Sequence, residues 1–284
     1  MFVPRRILEE KLRQILTEDI GQGDVTVTAI IPANLLVKAV VVAKEEGVVA
    51  GIEEATIFAE YLGLKIKTKV ADGDKIVNKQ TLIEISGDAQ TILVAERTLL
   101  NLLSRMSGIA TKTQNLSDKL RKAGSKTRIA ATRKSAPGLL YFDKKAVMIG
   151  SGDPHRLHLD DLILIKDNHL AIIGSIEKSV KKAKANGSFT KKIEVEVTNI
   201  EDAIKAAKAG ADIVMLDNFS PKQAKEANEL LKNSGFGDVL LEVSGGITSE
   251  TLLEFVAAQV DIISMGELTH SVKALDFSLE IVKD

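Results

Sequence analysis

The sequence contains no cysteine and no tryptophan, and aromatic residues make up only 4% of its 284 positions. The lack of cysteine excludes disulfide bonds, thiolate metal sites and cysteine nucleophiles, and it is compatible with a reducing compartment. The scarcity of aromatic side chains argues against a surface that stacks the bases of single-stranded nucleic acid. The formal net charge is −1, so a basic coat for nucleic acid is not expected either.

Long apolar runs are also absent. None approaches the roughly 20 residues that a membrane-spanning helix requires. The first residues, Met1–Arg6, are not followed by the apolar core of a signal peptide. We therefore expect a cytoplasmic protein with no membrane partner and no nucleic-acid partner. A chain with 45% hydrophobic and 27% charged residues can bury one or two domain cores.

The N-terminal part of the chain mixes helical and extended patterns. Apolar spacing predicts helices over Ile7–Leu16 and Glu53–Leu62, and short strands over Val37–Val42 and Gly47–Gly51. A strand, a turn and a second strand are predicted over Val70–Val77, because Asp-Gly suits a tight turn. Biotinyl and lipoyl carrier domains have similar passages, but no hairpin presenting a lysine between apolar neighbours is evident here. We interpret this part as a β-rich scaffold.

A long helix is predicted from Thr91 to about Met106. Its apolar face has the spacing of a buried surface and consists of Leu99, Leu102, Leu103 and Met106. The opposite face is polar and carries Arg97, Asn101, Ser104 and Arg105. Periodicity alone does not decide whether that polar face meets solvent or a binding site.

The second half alternates strands with amphipathic helices, which predicts a parallel sheet. The predicted strands are Thr127–Ala131, Leu162–Ile165, Ile193–Val197, Asp212–Leu216, Val239–Val243 and Val260–Met265. Successive units at spacings of roughly 20 to 25 residues suit a (β/α) barrel. About six strands are too few to close one. The predicted fold class is α/β, an open or incomplete (β/α) barrel with a β-rich α+β N-terminal domain.

Charged residues or glycine stand at or near the ends of these strands, in Thr132–Lys134, Lys166–His169, Glu194 with Glu196, Asp217–Asn218, Ser244–Gly246 and Met265–Glu267. The carboxyl ends of parallel strands meet at one pole, where barrel enzymes place their active sites. A locally cationic site on a nearly neutral chain indicates a pocket for a small, multiply anionic ligand.

The charges suggest a division of roles. Arg133, Arg156 and Lys166 can hold carboxylates. The glycine turns Gly245–Gly246 and Gly266 can seat a phosphate on backbone N–H groups. Glu196 and Asp217 can hold Mg²⁺ or a ribose hydroxyl, and the alternative for Glu196 is a structural ion pair with Arg133 or Lys166.

A transition-metal site is a further alternative. It would use His155, His158 and His169 with the nearby Asp160, Asp161 and Asp167. The two histidines of His155-x-x-His158 lack the i, i+4 spacing of helical zinc ligands. The positive charges of Arg156 and Lys166 also disfavour a cation there. Asp160 and Asp161 could simply cap a segment, and we assign His270 a structural or hydrogen-bonding role.

The chain resembles the quinolinate phosphoribosyltransferase family over nearly its whole length. The resemblance is carried in order by Glu18–Gly21, Gly23–Thr26, Glu96–Asn101, Ser107–Thr111, Thr132–Lys134, His155–Arg156, Leu164–His169, Glu194–Val197, Leu216–Asn218 and Ser244–Ile247. Each element alone is weak, whereas the ordered set is specific. The chain departs from the family pattern at Ser135, Leu140, Lys145 and Ser151, which affects the detail of the Pro137–Gly152 loop.

The resemblance implies an α+β N-terminal domain over 1–108, a catalytic barrel over 109–268 and a C-terminal segment, 269–284, that packs back on the N-terminal domain. It implies a homodimer or higher homo-oligomer in which the N-terminal domain of one subunit completes the site of its partner. The implied reaction joins quinolinate to phosphoribosyl pyrophosphate (PRPP) in the presence of Mg²⁺. Its products are nicotinate mononucleotide, pyrophosphate and CO₂, a step of NAD biosynthesis.

The resemblance also assigns residues. Arg133, Lys134, His155, Arg156 and Lys166, with Thr132, would surround quinolinate, and Arg97 would reach in from the partner subunit. Glu196 and Asp217 would serve the ribose and Mg²⁺, the metal being held mostly through substrate and water. Ser244, Gly245, Gly246, Met265, Gly266 and Glu267 would line the phosphate end. The catalytic residues implied are Lys134, Lys166, Glu196 and Asp217.

Three rival functions stay open at this stage. A molybdenum-transport-associated protein of the same fold would share the Thr-Arg-Lys and His-Arg elements but would diverge around Lys166–His169. A nicotinate phosphoribosyltransferase would handle a monocarboxylate and would need fewer cations. A phosphate-binding barrel without catalysis, used as a sensor or scaffold, would not need the full set of charges at the strand ends.

Overall fold

The computed structural model describes residues 3–282, which form two units. The first unit comprises the described residues up to Lys112, the short stretch Met148–Gly150 and the described residues from Val272 onward. The second unit comprises Thr113–Val147 and Ser151–Ser271. None of the described helices is both long enough and apolar enough to span a bilayer.

An antiparallel sheet organises the first unit. Besides the C-terminal strand Phe277–Val282, the strands of the unit are β1 (Leu36–Ala43), β2 (Gly47–Val48), β3 (Lys65–Thr68), β4 (Lys75–Ile76) and β5 (Thr81–Asp88). The strand order in the sheet is Phe277–Val282, β1, β5 and β3, and Ala39 of β1 lies opposite both Ile281 and Ile85. Its helices are α1 (Arg5–Ile20), α2 (Val25–Ile30) and α3 (Ile52–Tyr61). This β-rich unit confirms the predicted character of the N-terminal part.

The hairpin predicted over Val70–Val77 is wrong in one respect. The turn is present, with Gly73 at φ +94°, but Val70 and Ala71 are not in a strand and β4 pairs with β2 instead. The carboxylate of Asp72 accepts hydrogen bonds from the backbone N–H groups of Gly51 and Ile52 at the start of α3. The segment therefore caps a helix rather than pairing with its neighbour.

The long helix α4 (Ala89–Lys122) extends well beyond the predicted end near Met106. Its apolar stripe continues through Ile109, Leu116 and Leu120, all of which are buried. Gly108, a residue that often ends helices, lies inside α4 because the backbone of Lys273 and Ala274 approaches it closely. On the polar face, Arg97 and Asn101 are exposed within the described chain.

The second unit is built on a six-stranded parallel sheet. The strands are β6 (Arg128–Ala130), β7 (Ile163–Ile165), β8 (Ile193–Val197), β9 (Ile213–Asp217), β10 (Leu240–Ser244) and β11 (Ile262–Ser264). Their order in the sheet is β6, β11, β10, β9, β8, β7. The helices are α5 (Leu140–Ile149), α6 (Asp167–Ile173), α7 (Ile176–Asn186), α8 (Ile200–Ala209), α9 (Pro221–Asn233), the 3₁₀ helix Leu252–Ala258 and α10 (Glu267–His270). All six predicted strands are present, which confirms the α/β class.

Polar caps fix where the helices start after their strands. Asn199 accepts from the N–H of Asp202 at the start of α8, and Ser220 accepts from Gln223 N–H at the start of α9, with Pro221 at the first helical position. The helix α8 therefore starts three residues after β8 ends, and α9 starts four residues after β9 ends. The short connections hold the residues at the strand ends close to the sheet.

We expect Gly108→Ala to lower the free energy of unfolding by about 1–3 kcal/mol. An added Cβ would lie 2.3 Å from the carbonyl oxygen of Lys273 and 3.0 Å from the Cα of Ala274, and backbone atoms cannot swing aside. Urea unfolding measures the change. Gly237→Ala is the control, because its Cβ would meet only Lys232 Cγ at 3.7 Å and should change stability by less than about 0.5 kcal/mol. Equal effects of the two substitutions would contradict the close approach.

Candidate active site

A cavity of about 650 Å³ opens at the carboxyl ends of the parallel strands, within the second unit. It brings together most of the site residues predicted from the sequence. Those that line it are Thr132, Arg133, Lys134, His155, Arg156, Lys166, Glu196, Asp217, Ser244, Gly245 and Gly246. The other lining residues are Ala131, Leu164, Met215, Asn218, Glu242 and Ser264.

Four predicted residues lie elsewhere among those described. Arg97 belongs to the first unit, on α4. Met265 is buried, and Glu267 accepts hydrogen bonds from the N–H and hydroxyl of Ser249 at 3.1 and 2.8 Å. Gly266 lies against the stem of Lys134, since an added Cβ would lie 3.1 Å from Lys134 Cδ. Their assigned roles stay predictions.

The register of the sheet aligns the functional residues. Asp217 at the end of β9 lies beside Ser244 at the end of β10, and Glu196 of β8 lies beside Met215 of β9. Side chains alternate along a strand, so Glu194 shares the cavity face with Glu196. The structure thus places carboxylates of two neighbouring strands at the same pole.

Lys166 and Glu196 form an ion pair, with 3.5 Å between Lys166 Nζ and Glu196 Oε2. The Lys166 side chain is nearly half exposed, so the pair contributes little to stability and can separate when a ligand binds. This ion pair is the one expected under the alternative role for Glu196, that of a structural partner of Lys166. It does not prevent Glu196 from serving a ligand.

The turn after β10 requires glycine at its first position. Gly245 has φ +91°, and an added Cβ would lie 2.3 Å from the side-chain oxygen of Asn218. Asn218 itself adopts φ +57° and donates from its amide to Asp217 at 2.8 Å. Gly245 therefore leaves room for the amide that orients the Asp217 carboxylate.

Two buried glutamates beneath the cavity were not assigned a role from the sequence. Glu242 and Glu194 have no exposed surface, and His155 Nε2 lies 3.1 Å from Glu242 Oε2 and 3.6 Å from Glu194 Oε2. Among the described residues, both Glu194 oxygens, Glu242 Oε1 and Ser264 Oγ have no hydrogen-bond partner. The available signal was a charged residue inside an apolar strand, as in Leu241-Glu242-Val243.

These three groups could offer ligands to a metal, since one atom from each of His155, Glu194 and Glu242 lies within 4.8 Å of the others. Positive charge opposes that use, because Arg156 acts on Glu194 and Lys144 acts on His155. We interpret the group as a hydrogen-bonded network. His158 clusters instead with the exposed Asp160 and Asp161, so the three histidines do not share one site in the described chain.

Burial and mutual repulsion change the proton affinities in this network. Burial, reinforced by the charge of Glu242, raises the pKa of Glu194 to about 7. Burial acts to lower the pKa of His155, but the hydrogen bond to Glu242 and the two carboxylate charges outweigh it and the net change is upward. Glu194 therefore keeps its proton to a higher pH than an ordinary glutamate does.

Two arginines, Arg133 and Arg156, line the same cavity. Burial lowers the pKa of Arg156, and the positive charge of Arg133 lowers it further. Like charges in one cavity raise each other's energy unless an anion offsets them. The arrangement suits a ligand with two carboxylates or with several negative charges.

The described geometry defines an α/β protein with a pocket lined by arginine and lysine side chains at the carboxyl ends of a parallel sheet. The family model for the quinolinate phosphoribosyl transferase C-terminal domain matches residues 109–280, and the model for the N-terminal domain matches residues 24–107. The chain belongs to the quinolinate phosphoribosyltransferase family. The predicted family is therefore confirmed.

Relatives and solved structures agree with this assignment. The chain is 45% identical over 271 residues to a probable nicotinate-nucleotide pyrophosphorylase (carboxylating) of Methanothermobacter thermautotrophicus, covering 95% of this chain and 97% of that one. It is 38% identical to the human nicotinate-nucleotide pyrophosphorylase (carboxylating), covering 84% and 80% of the two chains. The solved nicotinate-nucleotide pyrophosphorylase from Francisella tularensis superposes with a TM-score of 0.90 at 37% identity, covering 99% and 98%.

We expect Glu194→Gln to gain stability relative to the parent chain as the pH rises. The folded chain holds the Glu194 proton up to about pH 7, against an ordinary pKa of 4.5, so the parent loses unfolding free energy across that interval. The loss is on the order of 3 kcal/mol, and the amide variant escapes it. Urea unfolding at about pH 5 and about pH 8 measures the difference.

Ser264→Ala is the control for this prediction, because it changes a buried polar group that does not titrate. Its effect on the unfolding free energy should stay constant across the same pH range. A Glu194→Gln effect that is equally constant would show that the carboxyl group is ionised in the folded chain.

Proposed function

We propose that the chain transfers the phosphoribosyl group of PRPP to quinolinate and releases pyrophosphate and CO₂, giving nicotinate mononucleotide. The observation that carries the proposal is the pair of mutually repelling arginines, Arg133 and Arg156, in a cavity that is also lined by Lys134 and Lys166. Quinolinate is a dianion at neutral pH, and its two carboxylates match two guanidinium forks. Membership of the family named for this reaction supports the same conclusion.

The binding roles follow from chemistry and position. Arg133 and Arg156 hold the carboxylates of quinolinate, with His155 and Thr132 beside them. Lys134 and Lys166 add positive charge that both anionic substrates require. The glycine turn Gly245–Gly246, with Ser244, lies toward the phosphate end. The predicted phosphate contacts of Met265, Gly266 and Glu267 belong to the proposal on the strength of the family resemblance alone.

Glu196 and Asp217 fit a role at the ribose and at Mg²⁺. They stand on adjacent strands at the cavity, and Mg²⁺ commonly binds to one or two protein carboxylates together with substrate phosphates and water. When bound there, Mg²⁺ would neutralise charge on the departing pyrophosphate. The carboxylates themselves stabilise positive charge that develops on the ribosyl carbon during transfer.

The reaction balances without a side-chain nucleophile. The ring nitrogen of quinolinate forms the bond to C1 of the ribose as the bond to pyrophosphate breaks. The nitrogen then carries a positive charge, which stabilises the electron pair left on the adjacent ring carbon when the bond from that carbon to its carboxylate breaks. CO₂ leaves, and a proton adds to that carbon. Chain residues therefore act by binding, orienting and stabilising charge.

We further propose that the chain works as a homodimer or higher homo-oligomer with shared sites. Residues 1–108 of one subunit would complete the site formed by residues 109–268 of its partner, with Arg97 as the shared cation. Support comes from the exposure of Arg97 on α4 in the first unit, while all residues that line the cavity belong to the second. The cytoplasmic location stays a prediction.

We expect turnover of quinolinate with PRPP and little turnover of nicotinate. Nicotinate has one carboxylate and leaves either Arg133 or Arg156 without a partner, which should cost roughly 1.5–3 kcal/mol. Chromatography of nicotinate mononucleotide, with CO₂ release as a second readout, measures both reactions. Equal or better use of nicotinate would favour a nicotinate phosphoribosyltransferase. No product from either, with PRPP still bound, would favour a non-enzymatic function.

We expect a mixture of Arg97→Ala and Lys166→Ala chains to recover activity that neither variant has alone. In a mixed dimer, one site combines the intact Lys166 of one chain with the intact Arg97 of the other. Random pairing makes half of the dimers mixed, each with one intact site, so about a quarter of the parent activity should return. Native mass spectrometry confirms that mixed dimers form. No recovery in their presence counts against a shared site.

A further inference from the structure

A buried lysine, Lys144, lies beneath the turn that carries Arg156. Lys144 is on α5 and has no exposed surface. Its ammonium group donates to the carbonyl oxygen of Pro154 and to that of Arg156, the second at 3.1 Å. The two carbonyls flank His155, so one side chain fixes the backbone on both sides of that residue.

The backbone of His155 is in the left-handed region, with φ +52°, which residues other than glycine rarely adopt. Its N–H donates to Asp153 Oδ1 at 2.7 Å, its Nε2 lies 3.1 Å from Glu242, and its Nδ1 accepts from the Arg156 N–H at 2.8 Å. A left-handed residue other than glycine costs about 1–2 kcal/mol, so the turn persists only while its surroundings hold it.

The backbone of Arg156 is held at both ends. Its N–H is bonded to His155 Nδ1, and its carbonyl oxygen is bonded to Lys144 Nζ. Without the second bond, the strained turn can relax and the guanidinium group moves with it. The position of the guanidinium group is therefore set from beneath the cavity as well as from within it.

Burying the amine of Lys144 is energetically unfavourable. Burial lowers the pKa of Lys144 to about 8, and the charges of Arg156 and Arg133 add to the effect, while Asp153 and Asp143 oppose it. A methionine would fill nearly the same volume without desolvating a charge. Unlike methionine, the lysine donates hydrogen bonds to the carbonyl oxygens of Pro154 and Arg156.

We propose that Lys144 is a positioning residue, which holds the His155–Arg156 turn so that Arg156 can bind a substrate carboxylate. Lys144 does not line the cavity formed by the described residues. It acts on the ligand only through Arg156. The inference rests on the proposed function, because it assigns Arg156 to the carboxylate-bearing substrate.

The first test compares Lys144→Met with the parent chain. We expect the KM for quinolinate to rise about tenfold or more and the KM for PRPP to change less than about threefold. Phe142→Leu is the control: it weakens the buried packing of the same helix and leaves the carbonyl bonds intact, so it should lower the melting temperature without the selective KM change. The number of PRPP-binding sites, measured by titration, counts the folded protein in each sample.

The second test restores the amine chemically. The chain has no cysteine, so Lys144→Cys introduces a single thiol. Alkylation of the unfolded chain with 2-bromoethylamine rebuilds a lysine-like side chain, whereas 1-iodopropane adds the same length without the amine. After refolding, we expect the aminoethyl form to recover quinolinate affinity and the propyl form to stay weak. Parent chain taken through both treatments controls for refolding.

The outcomes separate the two proposals. A parent chain that does not turn over quinolinate overturns the proposed function. A parent chain that does so, with Lys144→Met raising both KM values equally or neither of them, overturns the positioning role. Equal recovery of the aminoethyl and propyl forms also overturns it, because filling the space would then be enough.

Discussion

The second unit depends on holding several positive charges together in one small cavity on a chain that is nearly neutral overall. Arg133 and Arg156 repel each other, and Lys134 and Lys166 line the same space. Without substrate, nearby anions offset part of this repulsion. Glu196 pairs with Lys166 at the strand ends and also attracts Arg156, and the buried Glu242 attracts His155. The parallel sheet makes this possible because six strands deliver their carboxyl ends to one pole.

The carboxylates fall into two groups with different duties. Glu196 is partly accessible and its ion pair is close to water, so an incoming ligand can replace its partner at small cost. Glu194 and Glu242 are fully buried, and removing Glu242 would leave His155 without its hydrogen-bonded partner. Burial raises the pKa of Glu194, which reduces the negative charge kept under the site near neutral pH. The cavity therefore stays cationic toward a ligand.

Much of this site could be predicted from the sequence because strand position and residue type are local properties. Ile193–Val197 has the predicted bounds, and the cavity gathers the residues predicted at the ends of five strands. The roles of Lys144 and Glu242 could not be predicted, because the sequence pattern around a single charged residue in an apolar element does not show whether its side chain is exposed or buried. What decides its role is a partner far along the chain: Glu242 lies 87 positions from His155. The full length of α4 could not be predicted, because a glycine such as Gly108 often ends a helix. The close approach of the Lys273 and Ala274 backbone, which requires glycine at this position, is visible only in the structure.

The fixed positions of Arg133 and Arg156 also affect how the product leaves at the end of the proposed reaction. Quinolinate enters as a dianion, but transfer makes its ring nitrogen positive and decarboxylation removes one carboxylate. The ring portion of the product has no net charge, so the repulsion between Arg133 and Arg156 is again without a full counterion. A rigid turn cannot relieve the repulsion by moving Arg156 away, and binding at this end of the product is weakened relative to the substrate. The constraint that favours quinolinate binding thus also favours release of the product.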